Sequence, residues 1–468
     1  MAAGQTPWRS AIPNRRMLER GLVTFDSNCL LSFFEDLKYL AGARRQLDVP
    51  KSDIFISFVG FVDLKKLNSK ARNWLRVRAL NQKRRKANPQ QKRPLSPSAK
   101  KQYHAQSVQI WQGGEPERAI CTAKPVRAPA HLSFQNNGAR TTEFLTRTRR
   151  HGMLSNKARN ESFVTRSSPN SMARIAGYLD FSSIAHISTG AAVVLTADYE
   201  RLSRLLGEVP PTIDLPKWSP QVVTRLHQIG FFSILGHLPQ IEARLVEDGP
   251  TLTMRILSAT KAEGFEQVDS ALQELCKFLL GDDGYTVADL DDTIVKVLTS
   301  ISEAITNVTQ HAYPSNHQYE HEHVERFWIA ATSNRIDKTL TVVVYDQGAS
   351  IPVTYPKLNR VDKVLRFLER AIRRRPEFAY QNDGAYIRAA MRYGGSRTDK
   401  PYRGKGFPQM YEILQSVGKG SLSVRSRGGW CRRAPDGRVR SGSLTSSIGG
   451  TLIEWKIDMS AELAVKER

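Results

Sequence analysis

The sequence predicts an α/β protein with more than one folding unit, and three observations carry that reading. Helix-period and strand-period segments alternate over the C-terminal half, 40% of the 468 residues are apolar, and the positive charge is confined to one stretch. A chain of this length holds two or three domains of ordinary size, and its apolar content is enough to give each a core. The formal charge is +24, but Lys65–Arg174 carries 25 Lys/Arg against 4 Asp/Glu, a surplus of 21, so the rest of the chain carries only +3. The basicity belongs to a segment and not to the whole surface.

Read in order, residues 20–64 look structured: LLSFFEDLKYLAGARRQL has the spacing of an amphipathic helix, and DIFISFVGFVDL reads as a buried strand. The following KRRKANPQQKRPLSPSAKK and its continuation are rich in Pro, Gln, Ser and Lys with little periodicity. Such a composition buries too little apolar surface to offset chain entropy, which predicts a largely disordered insertion over roughly 68–172. Its charge suits contact with nucleic acid or an acidic partner through residues 65–174. Order resumes near Ile175. IAGYLDFSSIAHIS suggests a strand and turn, TGAAVVLTADYERLSRLL a helix, TIDLP a short strand and SPQVVTRLHQIGFF a Ser-capped helix. From about Pro250 to the end, helices and strands alternate. The expected division is therefore 1–67 and 173–248 as two parts of one α/β domain, 68–172 as the insertion between them, and 249–468 as a second domain.

Cys29, Cys121, Cys276 and Cys431 are far apart and form no CxxC pair, which argues against a zinc site or a disulfide framework and fits a reducing cytoplasm. Met1–Arg20 lacks the apolar core of a signal peptide. Phe181–Ala197 is short for a membrane span and contains Ser, Thr and His. The expectation is a cytoplasmic protein without a membrane segment.

The chemistry-bearing stretch is LDDTIVKVLTSISEAITNVTQHAYP, whose apolar residues recur as the stripe of a helix packed on a sheet. Glu303, Asn307 and His311 stand four apart and share one line, offset from that stripe by roughly 130° at 100° per residue. A carboxamide can give an oxygen to Mg²⁺, and a carboxylate one turn earlier can polarise a water. A solvated helix face would show the same spacing. TLTVVVYDQGASIP then reads as an alternating strand ending in Asp346, which could accept a hydrogen bond from an exocyclic amine. The Gly348 that follows lets backbone approach a flat ligand. RGKGF, residues 403–407, opens a helix-like run, and GGTLIEWKI places Thr451 at the start of another strand. The EHEH run Glu320–His323 reads as a solvated loop ahead of a metal site. No GxxxxGK[ST] motif is present, which argues against a P-loop enzyme.

Glu303, Asn307 and His311 with the following Ala312 and Tyr313 resemble the N box of the ATPase superfamily of gyrase, MutL proteins, histidine kinases and anti-sigma-factor kinases, the GHKL or Bergerat-fold superfamily. Asp346, Gly348, Ile351 and Pro352 resemble its G1 box, with Ser350 where the family has a second glycine. Arg403, Gly404, Lys405, Gly406 and Phe407 look like the G2 box, and Gly450 with Thr451 fits the last box. The four occur in the family's order over about 285–460. The resemblance implies a C-terminal α/β sandwich, a mixed sheet with helices on one face, that binds ATP and Mg²⁺ under a lid over about 384–406. It implies Asn307 as Mg²⁺ ligand, Asp346 as partner of the adenine amine, and backbone amides of Gly404–Phe407 with Lys405 and Arg403 at the phosphates. It also implies Glu303 as general base.

The N-terminal half is similar to the STAS domains of anti-anti-sigma factors, on LDFSSIAHISTGAAVVLTADYERL and the strand and helix after it. That similarity implies Thr189, or the adjacent Ser188, as a phospho-acceptor, although Ile187 stands where the acidic residue usually precedes it. The functional expectation is an ATP-driven regulatory switch, acting as an ATP hydrolase or a Ser/Thr protein kinase and read by a protein partner, with a homodimer left open. The alternatives are a nucleic-acid-associated ATPase using the basic stretch and a nucleotide-binding module without turnover.

Overall fold

The computed structural model describes residues 105–112, 115–121, 123–150, 163–175, 177–236, 245–260, 265–280, 291–355, 379–393 and 406–460. All belong to one compact unit, Tyr103–Arg468. The helix and strand expected within 20–64 lie outside the described residues, as do Arg403, Gly404, Lys405 and residues 394–402 of the expected lid.

The chain enters as β1 (Gln106–Trp111), β2 (Glu117–Cys121), β3 (Val126–Arg127) and β4 (His131–Leu132), followed by helix α1 (Phe134–Arg150). Strands β5 (Val164–Thr165), β6 (Ala173–Ile175), β7 (Leu179–Asp180) and β8 (His186–Ile187) lead to α2 (Thr189–Leu206). Strand β9 (Thr212–Ile213), α3 (Pro220–Ile229) and α4 (Phe231–Ile234) complete this portion. The rest of the chain runs β10 (Leu245–Asp248), β11 (Thr251–Ala259), α5 (Phe265–Leu280) and α6 (Asp291–Asn307). It continues through β12 (Phe327–Asn334), β13 (Thr339–Asp346), α7 (Ile351–Thr354), α8 (Asp383–Tyr393) and α9 (Gly406–Val417). Strands β14 (Gly420–Ser426), β15 (Gly429–Arg433), β16 (Val439–Ser443) and β17 (Thr451–Asp458) close it.

Eight strands form the main sheet in the order β10-β11-β12-β13-β17-β14-β15-β16, antiparallel at every pairing. Side chains alternate across it. Leu340, Val342 and Val344 of β13, with Ile329 and Ala331 of β12, meet the buried stripes of α5, α6 and α9. Val343, Tyr345, Trp328 and Ala330 meet α2 on the opposite face. Helix α2 is apolar around most of its circumference and is buried from Thr189 through Leu202, as a helix enclosed between two layers must be. Ser188 caps it, accepting from Ala191 N at 3.3 Å, and Gly207 ends it in the left-handed conformation at φ 67°. Beyond α2 lies a second, five-stranded sheet, β5-β6-β2-β1-β9, mixed because β2 and β6 run parallel.

Four expectations are corrected. The sheet of the C-terminal half is antiparallel and not mixed, and helices cover both of its faces, because α2 from the preceding segment packs on the second one. That packing also removes the boundary expected near 248, since one continuous core joins residues on both sides of it. The described residues between 105 and 172 are no disordered insertion: β1, β2 and α1 bury Val108, Ile110, Phe134, Phe144 and Leu145. Finally, Ser219 stands at the N-cap of α3, but its side chain makes no capping hydrogen bond.

Candidate functional site

Alternation along β13 puts Asp346 on the same face as Val344 and Val342, the face that carries α6 and α9. Asp346 is paired directly with Thr451 at the start of β17, and by the same alternation Thr451 shares the face of Ile453 and Trp455. Glu303 and Asn307 lie on the last turn of α6, both half-buried, so this line of the helix is not a freely solvated one. Gly406 opens α9 directly against them. A Cβ built on Gly406 would stand 3.0 Å from Glu303 Oε2 and 3.4 Å from Asn307 Nδ2, so the helix N-terminus and the two polar side chains are immediate neighbours. Phe407 and Ile351 pack into the same small apolar cluster with Tyr355 and Ala389. Glu303, Asn307, Asp346, Gly348, Ile351, Gly406, Phe407 and Thr451, scattered over about half of the sequence's C-terminal portion, thus gather at one end of one sheet face.

The segment after Asn307 holds the turn after Asp346 in place. Residues Val308–Ala312 form a π-helical turn, which breaks the α-helical register and takes His311 off the line of Glu303 and Asn307. Ala312 O accepts from Ala349 N, and Tyr313 Oη accepts from Gln347 N at 3.1 Å. Gly348 lies so close to Ala312 that any Cβ there would collide with it. Gly450, at φ 143°, passes equally close to the carbonyl of Asp346. Thr451 Oγ1 and Ser426 Oγ are 2.8 Å apart, and Ser426 Oγ accepts from Ile351 N at 2.9 Å.

Burial pushes the Asp346 carboxyl up from an ordinary 3.8 to about 7, against the pull of hydrogen bonds from the backbone of Gly348 and Thr451. Gly348 N donates to Asp346 Oδ1 at 2.8 Å. Burial likewise raises Glu303. A carboxyl poised near neutrality at a strand end can accept from a ligand N–H. A carboxylate raised by partial burial beside a carboxamide and a helix N-terminus is a candidate proton acceptor near an anion. Asn307 fits a hard divalent cation by donor type, its carboxamide standing at that same helix end.

Ser188 and Thr189 are not brought to this site. They begin α2, on the other side of the sheet, where a Cβ on the adjoining Gly190 would meet Glu454 and Leu452. Thr189 is 9% exposed, and its hydroxyl accepts from Arg225 Nη2 at 2.5 Å. Arg225 is further bonded to Thr253 and Thr332. A phospho-acceptor role would require this cluster to open, while Ser188 spends its hydroxyl on the helix cap. Within the EHEH run, Glu320 accepts from Tyr380 Oη at 2.9 Å. Among the described residues no group of three His, Cys, Asp or Glu side chains is arranged to hold a metal ion.

Sequence reasoning missed a second polar cluster, on the α2 face. Arg149 and Asp198 form a buried ion pair, and Gln347, Arg201 and Tyr345 gather around it. Burial works against the Arg149 cation, yet Asp198 and Tyr345 beside it more than compensate and raise its pKa. The only signal in the sequence was Gln347 itself, a polar residue next to Asp346 whose side chain alternation sends to the other face. No protein-family model matches the chain, and no curated protein is significantly similar to it.

Proposed function

We propose that the α6–α9 end of the main sheet binds Mg-ATP in the manner of the GHKL superfamily, and that this binding drives a regulatory switch coupled to phosphoryl transfer. The observation that carries the reading is the convergence of Glu303, Asn307, Asp346, Thr451 and Gly406, contributed by four separate segments, at one end of one sheet face. Asp346 would accept from the adenine amine, with Gly348 and Ile351 along the base and Thr451 beside the carboxyl. Asn307 would hold Mg²⁺, which when bound supplies charge stabilisation to the triphosphate. The N-terminal amides of α9, preceded in sequence by Arg403, Gly404 and Lys405, would face the phosphates. Glu303 would take the proton from an attacking water or from a Ser/Thr hydroxyl of a partner protein, and its raised pKa favours that role.

In the described part of the basic stretch Arg149 pairs with Asp198 and Arg166 with Glu117, while Arg118, Lys124, Arg140, Arg147 and Arg174 are exposed. The test uses ATP labelled at the γ-phosphate, with wild type and Glu303→Ala compared for released phosphate and for label on protein. Glu303→Ala should bind ATP as wild type does and turn over about 10²–10⁴ more slowly. Unchanged turnover in the variant would remove Glu303 from the chemistry. Binding without turnover in wild type, with any partner, would reduce the reading to a nucleotide-binding module.

A further inference from the structure

Two turns frame Asp346, residues 347–350 after β13 and residues 447–450 before β17. The carboxyl of Asp346 takes a backbone hydrogen bond from each side of this frame, from Gly348 and from Thr451. The turns also meet directly, because Ser350 Oγ donates to Gly450 O at 3.3 Å. Gly450, at φ 143°, runs so close to the carbonyl of Asp346 that no Cβ would fit. The position of Asp346 therefore follows the backbone of both turns.

Across the sheet, both turns are gripped by the α1–α2 layer. Arg149, near the end of α1, donates through Nε to both oxygens of Asp198 in α2, at 2.9 and 3.0 Å. Asp198 Oδ1 accepts from Gln347 Nε2 at 3.0 Å, which ties the first turn to α2 between Asp346 and Gly348. Arg149 Nη1 donates to Ser447 O at 3.4 Å, and Thr146 Oγ1, three residues earlier in α1, donates to the same oxygen at 2.7 Å. Arg149 Nη2 donates to Tyr345 Oη at 3.2 Å. That hydroxyl donates in turn to the carbonyls of Ile448 and Gly449, at 3.1 and 3.2 Å. Gly449, at φ 72°, leaves no room for a Cβ beside Arg149 Nη1.

The side chains of Arg149 and Asp198 are 2% and 1% exposed. A buried ion pair is a poor device for stability alone, because an apolar pair of similar volume is often as stable or more so. What an apolar pair lacks is direction. It offers no donor to Ser447 O or Tyr345 Oη, and no acceptor to Gln347 Nε2.

We propose that Arg149 and Asp198 are positioning residues for the nucleotide site. From the opposite face of the sheet they fix the two turns that hold Asp346 for the adenine amine, and neither touches the nucleotide. The inference rests on the nucleotide reading of Asp346 and adds that the α1–α2 layer completes the site. A change in how α1 and α2 seat on the sheet then alters ATP affinity, and by linkage bound ATP alters how firmly they seat.

The test separates positioning from stability. Calorimetric titration of ATP, with and without Mg²⁺, is run on the full chain as wild type and as the Arg149→Met/Asp198→Leu double variant, beside urea unfolding of each. The double variant should unfold near the wild-type midpoint and yet bind ATP about tenfold more weakly. The loss should be the same with and without Mg²⁺, since Asn307 and the N-terminus of α9 are untouched. Should the double variant fail to fold, or unfold well below wild type, Gln347→Met is measured in its place. It keeps the ion pair, removes only the tie to Asp198, and should weaken ATP about threefold or more at an unchanged midpoint. Wild-type affinity in a stably folded double variant, or in Gln347→Met where that variant replaces it, overturns the proposal and leaves the nucleotide reading standing. A loss seen only with Mg²⁺ overturns it too, because the effect would then lie at the metal. Absence of ATP binding by wild type overturns the nucleotide reading, and this inference with it.

Discussion

The two faces of the eight-stranded sheet share every strand and are built on different principles. On the α5–α6–α9 face the described core is mostly apolar, with isolated buried hydroxyls such as Ser300 and Ser333, and the buried carboxyl Asp346 stands at one end. On the α2 face charged groups are buried within the layer itself. Glu200 of α2 accepts from Trp328 Nε1 at 2.6 Å and from Ser258 Oγ at 3.0 Å, and Asp198 holds Arg149. Glu454 of β17 accepts from Gln135 of α1. The first face carries the candidate site at that end, and the second uses its polar groups to fix how a separate layer seats on the sheet. Neighbouring residues of one strand end, Asp346 and Gln347, therefore face unrelated surroundings.

The most drastic way to break this contrast is to remove one layer. Deleting residues 105–172 takes away β1, β2 and α1, with Arg149, and is expected to abolish cooperative folding in circular dichroism and thermal unfolding. A soluble, cooperatively folding remnant would show that the α6–α9 face needs nothing from the other side. Next in size is the buried pair. Asp198→Ala leaves the Arg149 cation buried without its carboxylate and should cost about 3–5 kcal/mol in urea unfolding. Arg149→Met with Asp198→Leu should recover most of that loss, because an apolar pair of similar volume needs no compensation.

On the nucleotide face, Gly348→Ala places a methyl against Ala312 and should cost about 1–3 kcal/mol as the turn after β13 is displaced. The expected companion is weaker ATP binding. The most gradual effect is a pH slope. The carboxyl of Asp346 titrates near 7 when folded and near 3.8 when exposed, so the folded state holds its proton more tightly. The stability this contributes is fully present below about pH 4 and is lost as pH rises through 7, with a slope of at most about 1.4 kcal/mol per pH unit. Asp346→Asn should flatten that part of the profile relative to wild type. An identical profile in the variant would mean that Asp346 titrates as an ordinary exposed carboxylate.

What was legible in the sequence follows the same division. The segments around Glu303, Asp346 and Thr451 each carry their periodicity and their polar residue within a few positions of one another, so local spacing placed them on α6, β13 and β17. Helix α2 also read correctly from Thr189 to Leu206, because its Ser cap and its Gly stop are local signals. Helix α1 did not, since much of its buried stripe is threonine: Thr141, Thr142, Thr146 and Thr148 are buried, and Thr146 Oγ1 donates to Ser447 O at 2.7 Å. A stripe satisfied by hydroxyl-to-carbonyl bonds looks polar in sequence. The Arg149–Asp198–Gln347 cluster was invisible for a further reason. Its members come from three distant segments, and only packing brings them together. Overlooking α1 and α2 as a covering layer also produced the mistaken one-faced sheet and the mistaken boundary near 248.

The central claim is that the end of the α6–α9 face binds ATP through Asp346 and, with Mg²⁺, through Asn307. Calorimetric titration of ATP, with and without Mg²⁺, into wild type, Asn307→Ala and Asp346→Asn tests it most directly. Wild type should bind more tightly with Mg²⁺. Asn307→Ala should lose that gain while keeping the metal-free affinity, and Asp346→Asn should bind about tenfold or more weakly under both conditions, because an amide donor then faces the adenine amine. Binding of Mg-ATP by both variants at the wild-type affinity, or no binding by wild type itself, would contradict the account.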